Sequence, residues 1–278
     1  MSDQMRYVRQ PSAESEGEAP GRERLQGRKI LVVGGGQRAF DAATDPVGNG
    51  RAMSLLFAKE GAHVAVADMN RGSAQDTVTR IADEGGRAFA IEADIAREAD
   101  VNRMIDEAMK GLGGLDGMVL NVGIGVGALG FDGVALKEWD DTFAVNLRGP
   151  MLCCRKALKS MADGGSIVFI SSIAGLRSGS RLIAYDTSKA ALGGLMRNAA
   201  REGAKRGIRA NIVCPGLVDT PLGRHTSAGR PSRSAAGVPF GRMATGWEIA
   251  YAALFFISDE SVYVNAQTLA VDSGITGL

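Results

Sequence analysis

Residues 165–192 read GSIVFISSIAGLRSGSRLIAYDTSKAAL. The run Ile167-Val168-Phe169-Ile170 is apolar at every position, the pattern of a strand buried on both faces in a parallel sheet. It ends at Ser171-Ser172. Tyr185 follows thirteen residues after Ser172, and Lys189 comes four after Tyr185. An Ala- and Leu-rich run continues past them to Met196 and reads as a helix. On a helix the i,i+4 spacing puts Tyr185 and Lys189 on one face. An ammonium a few ångströms from a phenol favours the phenolate and lowers its pKa by roughly 1–3 units. That moves a Tyr from about 10 towards a useful acid/base range. A Ser hydroxyl at the end of the adjacent strand would hold a carbonyl or alcohol oxygen beside that phenol. Alone, Tyr-x-x-x-Lys is a common spacing, and a helical Tyr is ordinarily a half-buried packing residue.

The same strand-then-helix alternation runs outward from this stretch. Strands are expected at 29–33, 63–67, 88–92, 117–120 and 208–214, with a last one inside 262–271. Helices are expected at 51–59, 72–84, from about 95 to 109, 138–161, 185–206 and 247–257. The first strand runs into Gly34-Gly35-Gly36, and Gly48-Asn49-Gly50 precedes the first long helix. Strand, glycines and helix form a dinucleotide-binding pattern: the backbone approaches a pyrophosphate and the helix N-terminus receives its charge. By itself the cluster is equally a flexible turn. Asp68 ends the second strand, where a carboxylate binds both ribose hydroxyls and repels a 2′-phosphate. Arg71 lies close by and is of the type that accepts such a phosphate. Asn146 falls inside the helix expected at 138–161, and a buried amide there must be hydrogen-bonded.

The bulk numbers fit one large α/β domain. The chain has 278 residues, 45% of them hydrophobic and 23% charged. A net charge of +1 argues against a broad nucleic-acid footprint. No apolar run approaches the roughly 20 residues needed to cross a membrane. Cys153, Cys154 and Cys214 make an odd set with two adjacent members, which suits reduced thiols in the cytoplasm better than disulfides. His63 and His225 show no metal-ligand spacing, and no metal is expected. Residues 1–27 are polar and read as a disordered extension without the apolar core of a signal peptide.

From residue 28 to 276 the ordered motifs resemble the short-chain dehydrogenase/reductase family. The resemblance implies a Rossmann-type, doubly wound, mostly parallel seven-stranded sheet with helices on both faces. It implies hydride transfer between NAD(H) and a secondary alcohol or ketone, with NADP less favoured. Tyr185 would be the general acid/base and Ser172 would orient the substrate oxygen. Lys189 would lower the Tyr185 pKa and bind the nicotinamide ribose, and Asn146 would hold a water connecting Lys189 to solvent. Cofactor contacts are implied at Gly34, Gly35, Gly36, Gly48, Asn49, Gly50, Asp68, Asn121 and Gly123. Asp94, on the adenine amino group, and Ile95 join them. So do Pro215, Gly216, Val218 and Thr220 of a P-G-x-x-x-T motif. A homotetramer is implied as well.

The sequence also departs from the family pattern. Leu120 and Val122 stand where Asn-Asn-Ala-Gly is usual. The glycine motif is interrupted, because thirteen positions separate Gly35 from Gly48. The intervening 37–47 segment is expected either as a tolerated loop or as a flap, with Arg38 on phosphate, Phe40 on an apolar surface, and Asp41 and Asp45 in solvent. Residues 221–240, with Arg224, His225, Arg230 and Arg233, read as a lid over the substrate. Two rivals follow from the same family. Enoyl reductases typically have six residues between their Tyr and Lys, where this chain has three. Non-catalytic dinucleotide sensors commonly lose the Tyr or the Lys, and both are present here.

Overall fold

The computed structural model describes residues 8–41, 44–125, 130–177, 180–227 and 238–278. Strands β1 (Lys29–Val33), β2 (His63–Asp68), β3 (Arg87–Glu92), β4 (Gly117–Leu120), β5 (Ser166–Ile170), β6 (Arg209–Pro215) and β9 (Thr268–Val271) form one sheet. Their order is β3-β2-β1-β4-β5-β6-β9, parallel throughout. Strands β7 (Val218–Asp219) and β8 (Ala244–Thr245) pair separately.

The helices divide between the two faces because each buried strand alternates its side chains. Leu31, Val33, Ile167 and Phe169 enter one core with α4 (Glu98–Leu112), α6 (Gly149–Ala157) and α7 (Ile183–Gly203). Ile30, Val32, Val168 and Ile170 enter the other, against α2 (Asn49–Lys59), α3 (Arg71–Asp83) and α9 (Gly246–Ile257). Such burial contributes roughly 1.5–3 kcal/mol per large apolar side chain. Two strand sets wound in opposite directions from β1 and β4 leave a crevice at their carboxyl ends, where ligands of open α/β sheets bind.

The helix expected at 138–161 is present as an unbroken helical run that contains a π turn and ends a few residues early. It comprises α5 (Leu136–Phe143), a π-helical turn (Ala144–Arg148) and α6, which ends at Ala157. The extra residue of the turn accommodates Asn146, whose amide reaches out to another segment. The last strand, Thr268–Val271, lies inside the expected 262–271 and pairs with β6.

The expected disorder of residues 1–27 fails for residues 8–27. Leu25 and Ala19 are buried, and a short helix, α1 (Ala13–Glu16), is capped by Ser12. Polarity misled the reading because the charges of this segment find partners. Glu60, buried at the end of α2, accepts the Arg24 guanidinium at 2.6 Å and the backbone N–H of Arg22 and Arg24. Burial alone would raise the Glu60 carboxyl, yet these donors hold it below its ordinary value. Lys59 donates to the Gly17 carbonyl, and Ser15 and Thr245 link α1 to α9.

Leu25→Ala is expected to cost about 2–4 kcal/mol, read as a lower urea midpoint with an unchanged slope. A segment merely draped over the surface would leave the midpoint where it was.

Candidate active site

Asn146, Ser172, Tyr185 and Lys189 lie on α7, on the helix before it and on the segment after β5. Lys189 is buried on α7, and its ammonium donates to the Ile170 carbonyl at 3.0 Å. It also lies 5.8 Å from the centroid of the Tyr185 ring, one turn away. Ser171 fastens α7 to β5 by donating to the Lys189 carbonyl at 2.8 Å. Ser172 follows at the strand end, where its hydroxyl accepts the Ala174 N–H at 3.1 Å. Burial pushes the Lys189 ammonium down to about 8.

Asn146 accounts for its amide within the chain. Its Oδ1 accepts the Ile124 N–H at 2.8 Å, and its Nδ2 donates to the Ile124 carbonyl at 2.8 Å and to Ser188 Oγ at 3.0 Å. The Ser188 hydroxyl donates in turn to the Tyr185 carbonyl. The segment after β4 is thereby pinned over α7. Gly123 lies close to Lys189 there, where a Cβ would stand 2.7 Å from Nζ and press the ammonium away from the loop. Gly125 faces the Tyr185 ring, while residues 126–129 of the glycine-rich loop lie outside the described set.

The cofactor side is built around Gly34-Gly35-Gly36. Asn121 donates to the Gly34 carbonyl at 2.8 Å, which fixes the loop after β1 against β4. Gly50 tolerates no side chain: a Cβ would stand 1.8 Å from the Gly34 carbonyl oxygen. The Asp68 carboxylate accepts N–H groups from Gly36 and Asn70, each at 3.1 Å. Burial raises the Asp68 carboxyl above its ordinary value, against the pull of those donors. Asp94 accepts the Ala96 N–H, and Ile95 is buried beside Gly149. Gly216 follows Pro215 and donates to the Val271 carbonyl; Val218 lies in β7, and Thr220 Oγ1 accepts the Gly223 N–H.

Several supporting residues were not singled out from the sequence. Arg51 is buried on α2, pairs with Asp76 at 2.6 Å and donates to Thr77, whose hydroxyl donates to the Gly35 carbonyl. Gln37 closes the base of the insertion. Its Nε2 donates to the Pro46 carbonyl, and its Oε1 accepts the Gly48 N–H at 2.7 Å. A Gln entering an unaligned loop gives no sequence signal for that role. Arg38 lies with its guanidinium over the Phe40 ring, 5.0 Å from the centroid. Asp45 accepts the N–H groups of Phe40 and Asp41 in exposed hydrogen bonds at the loop surface. In the expected lid, Pro221–Ser227 forms helix α8, whereas Arg230 and Arg233 lie outside the described residues.

These elements suit a nicotinamide dinucleotide. The glycine loop allows close approach, Asp68 offers carboxylate oxygens at the end of β2, and the buried Asn49 Oδ1 has no hydrogen-bond donor among the described residues.

A family model described as enoyl-(acyl carrier protein) reductase matches residues 43–276. Glucose 1-dehydrogenase of Gluconobacter oxydans is 33% identical over 268 residues, covering 93% of this chain and 95% of the relative. The chain belongs to the short-chain dehydrogenase/reductase family. A further relative, cis-4-hydroxycyclohexanecarboxylate dehydrogenase of Sinomonas cyclohexanicum, is 36% identical over 252 residues, 90% of this chain and 97% of its own. A short-chain dehydrogenase of Burkholderia cenocepacia, solved with NADP, superposes with a TM-score of 0.79 at 32% identity, covering 90% of this chain and 98% of that one. The family match begins at residue 43, inside the insertion, so β1 and its glycines fall outside it. As a member of the short-chain dehydrogenase/reductase family, the chain is an oxidoreductase acting on alcohol and carbonyl groups.

The Lys189 environment has a consequence for stability. A buried ammonium with a folded pKa near 8 has lost affinity for its proton relative to an unfolded value of 10.5. The folded state bears the full cost of that charge below about pH 8, and the cost is relieved as pH rises towards 10.5. Relative to Lys189→Met, the unmodified protein should therefore gain up to about 3 kcal/mol across that window. Thermal unfolding of both proteins from pH 7 to 10.5 reads the difference. A constant gap between them would show that Lys189 does not lose its proton in the fold.

Proposed function

We propose that this chain is an NAD-dependent oxidoreductase interconverting a secondary alcohol and a ketone in a small molecule. The observation that carries the reading is the placement of Tyr185 and Lys189 one turn apart on α7, with the ammonium 5.8 Å from the phenol ring, beside Ser172 at the end of β5. The dinucleotide would supply or accept the hydride at its nicotinamide ring. Tyr185 transfers the proton to or from the substrate oxygen, and Ser172 hydrogen-bonds that oxygen. Lys189 stabilises charge developing on the phenol and reaches the nicotinamide ribose. Asn146 keeps the loop after β4 fixed over α7, and a water beside it would connect Lys189 to solvent. Val218 and Thr220 would hold the nicotinamide carboxamide. Positioning and proton transfer are thus the protein's contribution, while the hydride chemistry belongs to the cofactor.

Removing only the phenol hydroxyl in Tyr185→Phe should reduce turnover about 10²–10⁴-fold, with NADH affinity close to unchanged. NADH oxidation against a panel of ketones and enoyl thioesters measures it. Turnover of enoyl thioesters alone would favour the carbon–carbon double-bond reading that the family model's description names. NADH binding without turnover of any compound would favour a sensor.

The NAD preference rests on the Asp68 carboxylate at the end of β2, which favours ribose hydroxyls and repels a 2′-phosphate. The Burkholderia cenocepacia relative was solved with NADP, so the two cofactors must be compared directly. Asp68→Ala should narrow the preference by tenfold or more, since hydrogen bonds to a charged group contribute roughly 1.5–3 kcal/mol each. Equal kcat/KM for NADH and NADPH in the unmodified enzyme would overturn the assignment. Buried thiols at Cys153, Cys154 and Cys214 agree with a cytoplasmic setting, and a homotetramer is the assembly the family suggests.

A further inference from the structure

The insertion at 37–47 reaches away from the glycine loop and grips α8, the helix that leads from Thr220 towards the substrate side. The Phe40 ring stacks on His225 of α8 with centroids 4.1 Å apart and planes 11° from parallel. The Arg38 guanidinium also lies 5.0 Å from the centroid of the same ring. The residue before it on α8, Arg224, donates to the Thr44 carbonyl at 2.9 Å. The rest of its guanidinium makes a two-point contact with Asp219 at 2.6 and 2.7 Å. Pro221, at the start of α8, lies against Gly48 at the insertion's exit.

The loop is braced to bear such a contact. Asp45 accepts the N–H groups of Phe40 and Asp41, and its own N–H donates to the Asp41 carbonyl at 2.9 Å. Thr44 donates its hydroxyl to the Asp41 carboxylate at 2.7 Å. Gln37 draws the two ends together, and its backbone is tied to Ser73 of α3 in both directions at 2.7 Å. The loop therefore spans from α3, beside the Asp68 carboxylate, to α8. A flap on the pyrophosphate would direct Arg38 at the phosphates and leave α8 alone.

We propose that the described residues of the 37–47 insertion, 37–41 and 44–47, form a strap that positions α8, with Phe40, His225 and Arg224 as positioning residues. The strap fixes the substrate-side helix relative to the cofactor loop before either ligand arrives. Its effect falls on substrate fit and not on phosphate binding. The proposal deepens the oxidoreductase reading, since α8 matters for turnover only if that reading holds.

The test is amide hydrogen exchange of the full-length protein without cofactor, read at Gly223, Arg224 and His225. Phe40→Ala should raise exchange there about three- to tenfold, the range that loss of one aromatic stack permits. Phe40→Tyr, which keeps the ring, should restore the slow rate. His225→Ala should match Phe40→Ala, and the double variant should be no faster than either single one. The melting temperature should hold throughout, because Phe40 is 38% exposed and its removal opens no cavity. NADH affinity of Phe40→Ala, read by fluorescence titration, should stay within twofold. With any ketone the enzyme turns over, KM should rise at least threefold while kcat stays within twofold.

Unchanged exchange at α8 in Phe40→Ala would overturn the strap. So would two single-variant effects that multiply in the double variant. A tenfold weaker NADH affinity with unchanged exchange would make the insertion a phosphate flap instead. Failure of the oxidoreductase reading would appear separately, as an unmodified protein that turns over none of the panel, and the exchange result would still decide the strap.

Discussion

The Asn146 carboxamide clasps the peptide of Ile124 from both sides, accepting its N–H and donating to its carbonyl. A side chain can imitate a neighbouring strand in this way only if its helix is opened, and the π-helical turn between α5 and α6 supplies the opening. A buried amide left without those partners would cost a few kcal/mol. The clasp fixes the chain leaving β4, and through Ser188 it also touches the turn of α7 that begins at Tyr185. Gly123 then lies so near Lys189 that the ammonium is enclosed between this loop and the end of β5. The low Lys189 pKa follows from that enclosure.

The central sheet was legible because its inner strands carry unbroken apolar runs such as Ile30–Val33 and Ile167–Ile170, a pattern that two-sided burial explains. Ile167 to Ile170 shows it most plainly, with alternate residues serving two separate cores. The strand that runs to Ser172 and the helix that carries Tyr185 and Lys189 one turn apart were legible from pattern and spacing. The π-helical turn was not, because hydrophobic periodicity over 138–161 does not reveal one extra residue per turn. The packing of residues 8–27 was hidden for a different reason. Its stability rests on Glu60 and Glu248, far away in the sequence, and a local count of charges cannot see such partners.

The glycine loop shows how an interrupted motif keeps its geometry. The loop after β1 is held from β4 by Asn121 and from α2 and α3 by the Arg51–Thr77 relay onto the Gly35 carbonyl. Gln37 then stands in for the missing short connection by accepting the Gly48 N–H. The two halves of the motif meet as closely as Gly50 and Gly34 require, although thirteen positions separate Gly35 from Gly48. Loop length is cheap to change once the ends are pinned, because closure entropy grows only slowly with the number of residues.

The latch formed by residues 8–27 also bears on the order in which the chain is assembled. Ser15 bonds to Glu248 and Thr245, partners more than two hundred positions later in the chain. During synthesis Ser15 lacks these partners until α9 has been made, so the contacts of α1 with α9 are among the last of the described contacts to form.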